Sequence, residues 1–172
     1  MTAPASCDLG HRASVFLEQG EIRATAHPEI ISTILGSCVA VCLYDPVARI
    51  AGMNHFLLAD SRGREPSARY GDVAVERLLA AMAEVGAKRS QLVAKVFGGG
   101  AVLPLAGAQA YIGSDNVDIA VRELHRLDIP VVAHCTGGCQ GLVIRLVTDT
   151  GDVFVKRLGN MRIVHNTVLI QE

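Results

Sequence analysis

The sequence has no tryptophan and only four phenylalanines and three tyrosines, against 17 glycines in 172 residues. Its core must therefore consist mainly of small and branched aliphatic side chains, and the hydrophobic content of 50% is enough to build one. An excess of charge is also absent, because 16 basic residues oppose 17 acidic ones. This balance argues against a nucleic-acid binder with a broadly basic surface, and the high hydrophobicity argues against a disordered chain.

Long apolar segments are missing as well. Residues 30–44 are too short to span a bilayer, and residues 96–114 contain five glycines, a proline and a glutamine. The first 14 residues carry no apolar stretch of the kind found in a secretory signal. We therefore expect a cytoplasmic protein that is not inserted in a membrane. In that compartment the five cysteines stay reduced, so a disulfide framework is not expected.

The pattern of apolar residues predicts one α+β domain over residues 1–172, with residues 1–12 as a flexible N-terminus. Two helices are expected, one with Asp72 as its N-cap and one opening at residue 114 or 115. The predicted strands outnumber the helices, which favours mixed sheets over a doubly wound parallel sheet. The strands are expected at 15–19 and 21–25 as a hairpin, at 30–35, 38–44, 50–58, 91–97 and 129–134, at 142–148 and 153–158 as a hairpin, and at 162–170 as an edge.

The cysteines include two pairs spaced four residues apart, Cys38/Cys42 and Cys135/Cys139. Four thiolates could hold a structural zinc ion. Residues four apart on one strand are about 13 Å apart, however, whereas sulfurs bound to one zinc lie within about 4 Å of each other. The zinc site is thus the less favoured alternative, and Cys42 is interpreted as a buried small hydrophobic residue.

Cys38 has a setting that suits a nucleophile. It follows the Gly36-Ser37 turn, where backbone N–H groups could stabilise an oxyanion. His55 lies on the next predicted strand, and a thiol needs such a neighbouring base to react at neutral pH. A Cys–His hydrolase is therefore one hypothesis from the residues alone. The glycine run 98–100 lacks the motif of a phosphate-binding loop and is interpreted as a tight turn.

Residues 35–46, 52–58, 69–72 and 94–99, followed by Ile112-Gly113 and Asn116, closely resemble the signature of the CheD family of chemoreceptor glutamine deamidases. The resemblance implies hydrolysis of glutamine side chains in methyl-accepting chemotaxis receptors, with no metal or organic cofactor. It implies Cys38 as the nucleophile and His55 as the base and later the acid. The implied fold is an α/β layered sandwich with mixed sheets and two main helices, similar to toxin deamidases of the cytotoxic necrotizing factor type.

The family's third catalytic residue is a threonine six positions before the cysteine, and that position is occupied here by Ser32. Because neighbouring side chains on a strand point to opposite faces, Thr33 is expected to face away from His55. Ser32 is accordingly predicted as the third catalytic residue. Ser37 and Thr33 are secondary candidates for substrate binding.

Two partners follow from the resemblance, the receptors themselves and the phosphatase CheC. The loop after His55 carries Arg62, Arg64 and Arg69, which could attract an acidic receptor surface. An alternative is a non-catalytic adaptor of the same fold that binds receptors or CheC. Release of ammonia from a receptor fragment separates the enzyme from the adaptor.

Overall fold

A computed structural model describes residues 12–102 and 111–159, and also the backbone of residues 162–164 and 167–169. This part of the chain forms two α-helices, α1 (Gly71–Glu84) and α2 (Ile112–Arg126), and a 3₁₀ turn at Arg89–Gln91. The strands are β1 (Ala13–Phe16), β2 (Ile22–Thr25), β3 (Glu29–Leu35), β4 (Val39–Asp45), β5 (Ile50–Asn54), β6 (Val93–Gly98), β7 (Val131–Thr136), β8 (Leu142–Val147), β9 (Val153–Arg157), β10 (Arg162–Val164) and β11 (Thr167–Leu169).

Strands β1 to β9 form two packed sheets, and the helices cover one of them, while β10 and β11 form a separate pair. A five-stranded sheet has the order β2-β5-β4-β6-β7, and a four-stranded sheet has the order β1-β3-β8-β9. Strand β4 is buried on both faces because Val39, Val41 and Leu43 pack toward the helices. Ala40 and Cys42, which alternate with them, pack toward the four-stranded sheet. The protein thus has three layers, and the predicted α+β class with mixed sheets and two main helices is confirmed.

Several predicted elements are confirmed in the structure. The strand predicted at 30–35 is β3, the predicted closing hairpin is the antiparallel pair β8–β9, and β4 pairs antiparallel with β5. Residue 29 also belongs to β3, because it pairs with Ala13 of β1, and its N–H donates to the Thr148 hydroxyl at 2.7 Å. Strand β3 lies between β1 and β8, which places it in the centre of the four-stranded sheet.

The hairpin predicted at residues 15–25 is wrong. Strand β1 pairs parallel with β3 in one sheet, whereas β2 pairs antiparallel with β5 in the other. The chain crosses between the sheets here because Leu17, only 2% exposed, is buried in the core between them.

Two other local predictions also need correction. Helix α1 begins after Tyr70 rather than Asp72, whose carboxylate instead accepts bonds from the N–H and hydroxyl of Ser61, at 3.2 Å each. Residues 162–170 form the two short paired strands β10 and β11, not one edge strand.

The predicted flexible segment at residues 1–12 lies outside the described residues except for Arg12. The guanidinium of Arg12 forms a two-point ion pair with the Asp149 carboxylate, with N–O distances of 2.8 and 2.9 Å. Among the described residues, no helix has the length and apolar character needed to cross a membrane.

Candidate active site

The glycine run at the end of β6 holds the turn that carries Cys38. The N–H of Gly100 donates to the carbonyl of Gly36 at 2.8 Å, and the N–H of Gly99 donates to the carbonyl of Cys38 at 2.9 Å. Gly98 has a φ of 103°, and a Cβ at this position would collide with the Cys38 carbonyl. The run therefore allows two backbones to approach closely, which confirms the tight-turn interpretation.

Asn116, in the second turn of α2, binds the same turn from the helix layer. Its Nδ2 donates to the carbonyl of Ser37 at 2.9 Å and to the carbonyl of Leu57 at 2.8 Å. Because both partners are carbonyls, the donating atom of the side chain is identified without ambiguity. In the sequence, Asn116 stands out only as part of the family resemblance, which assigns it no role. Substrate binding by Ser37 stays a prediction.

Strand register places Cys38 and His55 on the same face of the five-stranded sheet. The N–H of Val39 donates to the carbonyl of Phe56 at 3.1 Å, and the N–H of Phe56 donates to the carbonyl of Val39 at 3.0 Å. In this register Ala40 opposes His55, and Cys38 is two residues from Ala40 on the same face. Such diagonal neighbours have Cα atoms about 7–8 Å apart, within reach of long side chains. Cys38 is half-buried at the margin of the core between the sheets.

Thr33 holds the ring of His55 across the space between the two sheets. The Thr33 hydroxyl oxygen lies 2.8 Å from Nδ1 of His55 and 2.8 Å from the carbonyl oxygen of Leu17. A carbonyl only accepts, so the single hydroxyl proton goes to Leu17 and the hydroxyl accepts from Nδ1–H. Nε2 is then the unprotonated nitrogen, and it is buried without a hydrogen-bond partner among the described residues. This nitrogen is available to accept a proton.

The expectation that Ser32 faces His55 and that Thr33 faces away is wrong. The Ser32 hydroxyl donates to the carbonyl of Val15 on β1, at 3.3 Å, and the side chain is only partly buried. The buried positions of β3 are the odd-numbered ones, which include Thr33 at 0% exposure. Position 33 is five residues before Cys38, not six as in the family. The alternation of side chains along β3 therefore decides which residue faces His55, and the family spacing does not.

Burial changes the pKa values of the Cys–His pair in opposite directions. It raises the pKa of the Cys38 thiol, an effect opposed by the N–H of the same residue, and it lowers the pKa of His55, an effect opposed by the Leu17 backbone. At neutral pH the pair therefore consists of a thiol and a neutral imidazole. Complete burial raises the pKa of Cys42 to about 12, so this second thiol is unreactive.

No group of three or more His, Cys, Asp or Glu side chains in the described ranges is arranged to hold a metal ion. Cys42 is buried in a strand and Cys139 is exposed, so these two residues share no common environment. The alternative of a zinc site formed by the paired cysteines has no support in this arrangement.

A cavity of about 300 Å³ lies between the loop after His55 and the start of α2. Asn116 contributes to its wall and connects it to the Cys38 turn. Arg62 and Arg64 line it, and the Arg62 side chain is 77% exposed. The remaining lining residues are Leu58, Ala59, Asp60, Ile112 and Asp115.

Comparison with known proteins gives consistent results. The profile of the family described as "CheD chemotactic sensory transduction" matches residues 57–157, more than half of the chain. A probable chemoreceptor glutamine deamidase CheD from Rhodospirillum rubrum is 51% identical over 143 residues, covering 83% of this chain and 81% of that one. A probable chemoreceptor glutamine deamidase CheD 1 from Anaeromyxobacter dehalogenans is 48% identical over 159 residues, covering 91% of this chain and 93% of that one.

Among solved structures, the hypothetical protein YfiH of Bacillus licheniformis has a TM-score of 0.41 and 15% identity, covering 68% of this chain and 49% of that chain. The sequence matches, which cover 81% and 93% of these two relatives, decide the classification: this chain belongs to the CheD family.

Proposed function

We propose that this chain is a protein-glutamine glutaminase that converts selected glutamine side chains of chemotaxis receptors to glutamate, with release of ammonia. The names of its relatives, chemoreceptor glutamine deamidases, support both the reaction and the substrate. One observation carries the assignment of residues, namely the buried bond of 2.8 Å between Thr33 and His55. His55 lies on the sheet face that also bears Cys38. The bond provides an oriented, neutral imidazole on the same sheet face as the Cys38 thiol.

In the first half of the proposed reaction, the sulfur of Cys38 attacks the amide carbon while the thiol proton passes to Nε2 of His55. The carbonyl oxygen becomes an oxyanion, and the imidazolium continues to donate from Nδ1 to Thr33. The intermediate collapses when Nε2 returns its proton to the nitrogen, which leaves as ammonia. A thioester between Cys38 and the substrate remains.

In the second half, His55 removes a proton from water, and the resulting hydroxide attacks the thioester carbon. The thiolate of Cys38 then leaves and takes the proton from His55. One amide and one water are consumed, and one carboxylic acid and one ammonia are formed. Neither half requires a metal or an organic cofactor. Among the described residues, the Thr33 hydroxyl bonds to His55 and to the Leu17 carbonyl and is fully buried, so Thr33 acts as a positioning residue.

The cavity beside the Cys38 turn suits an acidic protein surface as the docking partner. Arg62 and Arg64 line it together with Asp60 and Asp115, and Arg62 pairs with Asp60 at 3.0 Å. In the part of the chain that the structure describes, no such ion pair is formed by Arg64. Receptor signalling helices bear acidic residues near their modifiable glutamines, so these arginines would attract the substrate. A receptor substrate of this kind places the proposed reaction in the cytoplasm.

The proposal is tested by incubating the full chain with a receptor cytoplasmic fragment and recording mass spectra of its peptides. Each deamidated glutamine is expected to gain about one dalton, and ammonia should appear in equal amount. Cys38→Ala should abolish both signals in a protein that remains folded. A folded wild-type protein that binds the fragment without producing ammonia would contradict the enzyme and support the adaptor alternative.

Binding to CheC is a separate prediction that rests on the family resemblance. It is checked by mixing purified CheC with the wild-type chain and with Cys38→Ala, and measuring complex formation by light scattering. Both should bind if the partner recognises the folded surface rather than the thiol. Absence of a complex with both would contradict the predicted partnership and leave the deamidase proposal unaffected.

A further inference from the structure

We propose that Asn116 is a positioning residue that aims the Cys38 backbone N–H at the oxyanion formed during the reaction. The inference rests on the proposed Cys38 chemistry. Its physical basis is the peptide plane between Ser37 and Cys38, whose carbonyl oxygen is bound by Asn116 at 2.9 Å. None of the sequence motifs assigned such a role to a residue of α2.

In a trans peptide, the direction of the carbonyl fixes the direction of the N–H on the next residue. All peptide bonds in the described residues are trans, so the Ser37 carbonyl and the Cys38 N–H point in opposite directions. Asn116 holds the carbonyl on the side of α2. The N–H of Cys38 must then point away from the helix layer, toward the side of the sheet that bears the sulfur.

Like the N–H groups of Gly36 and Ser37, the Cys38 N–H remains available for an acceptor among the described residues. Among the described residues it donates to no main-chain acceptor. This N–H favours the thiolate of its own residue and so opposes the rise in the pKa of Cys38 that burial causes. A donor beside the attacking sulfur lies next to the carbon that the sulfur attacks, and therefore near the oxygen that becomes negative.

Packing alone does not account for an asparagine at position 116. The side chain is fully buried and its Oδ1 has no hydrogen-bond partner, which is unfavourable in the interior. A leucine, which has the same number and branching of side-chain heavy atoms, would have no unpaired Oδ1 but would leave the carbonyls of Ser37 and Leu57 without this donor. Only the amide provides two N–H donors, one for the carbonyl of Ser37, which precedes Cys38, and one for the carbonyl of Leu57, which follows His55 by two residues. The side chain fixes both strand ends at once.

The glycine run completes the support of the turn. The carbonyls of Gly36 and Cys38 are bound by main-chain N–H groups at 2.8 and 2.9 Å. The Ser37 carbonyl between them is the one bound by a side chain. A substitution at position 116 therefore releases one peptide plane of the turn, together with the Leu57 carbonyl on the neighbouring strand end, while the rest of the turn stays anchored.

The experiment compares Asn116→Leu and Asn116→Ser in the full chain with Thr148→Val as a matched control. Thr148 is buried and its hydroxyl binds the main chain of Glu29, at the end of β3 remote from Cys38. Two quantities are measured on folded protein: the steady-state constants for deamidation, and the pH dependence of Cys38 alkylation by iodoacetamide, read from peptide mass spectra.

For Asn116→Leu we expect kcat to fall by about 10- to 100-fold, somewhat less than the loss of an entire oxyanion donor, with KM within about twofold. Its Cys38 alkylation profile should move to higher pH because the thiolate loses an aligned N–H. Asn116→Ser, which keeps one hydroxyl donor, should recover part of both effects. Thr148→Val should lower stability without changing either quantity per folded molecule.

An unchanged alkylation profile in folded Asn116→Leu would overturn the inference, as would a kcat unaffected by the loss of the amide. Failure of both Asn116 variants to fold while Thr148→Val folds would also overturn it, because Asn116 would then serve stability alone. The alkylation measurement needs no substrate. If the wild-type chain had no deamidase activity, the positioning of Cys38 would therefore still be decided separately.

Discussion

Replacing Thr33 by valine removes one hydroxyl and leaves the shape of the side chain almost unchanged. The lost oxygen is 2.8 Å from Nδ1 of His55 and 2.8 Å from the carbonyl of Leu17, and both bonds are buried. Loss of such bonds should lower the free energy of unfolding by about 1–3 kcal/mol. The variant should still fold, because valine suits a buried strand position.

The expected loss of activity is larger than the loss of stability alone would suggest. During the reaction Nδ1–H of His55 becomes part of a cation, and a hydrogen bond from a cation contributes about 1.5–3 kcal/mol. Since about 1.4 kcal/mol corresponds to a tenfold change in rate, Thr33→Val should lower kcat by about 10- to 100-fold. KM should change little, because Thr33 does not touch the substrate in the proposed mechanism.

The assay is ammonia release from a receptor fragment, normalised to folded protein by circular dichroism. Thr33→Ser keeps the hydroxyl and should retain most of the activity. Ser32→Ala is the matched control, because it removes a neighbouring hydroxyl that points to the Val15 carbonyl on the opposite face. The reasoning would be refuted if Ser32→Ala lost activity in a folded protein while Thr33→Val kept it.

Three further outcomes are expected. Cys42→Ala should cost on the order of 1 kcal/mol in unfolding free energy and keep most of the ammonia release, and inactivity of this folded variant would contradict the assignment of Cys38 as the nucleophile. Burial lowers the pKa of His55 from its usual 6.5, so the unfolded state binds a proton more readily than the folded state as pH falls below that value. Urea titrations should therefore show a loss of stability at acid pH, and His55→Gln should reduce this loss. Arg62→Glu combined with Arg64→Glu should slow deamidation at low salt and matter less at high salt, whereas an effect independent of salt would exclude electrostatic attraction.

The sequence identified the catalytic cysteine and histidine candidates more readily than the residue that orients the histidine. Strand β4 and its return β5 have long apolar runs and a turn at Asp45-Pro46, so their pairing followed directly. Strand β3 has isoleucine or leucine at 30, 31, 34 and 35, so both of its faces look apolar. The alternation therefore does not show which face is turned toward the core. A counted spacing then selected Ser32, although the threonine at 33 was the better indication.

Contacts across the layers were beyond sequence reasoning for a related physical cause. The bonds of Asn116 to Ser37 and Leu57 join positions 79 and 59 residues apart. Nothing local distinguishes Asn116 from an ordinary polar residue near a helix start. The crossing at Leu17 was hidden in the same way, because Gly20 and its polar neighbours look like a hairpin turn until the two separate sheets are known.

The bond between Thr33 and His55 joins one residue of each sheet, so the base is assembled only where the two sheets are in register. A relative slide of the sheets by one pair of residues would separate the hydroxyl from the ring without altering either sheet. Enzymatic activity therefore depends on the correct packing of one sheet against the other. Under mild denaturation we expect ammonia release to be lost together with the tertiary packing between the sheets, while each sheet still retains its own strand pairing.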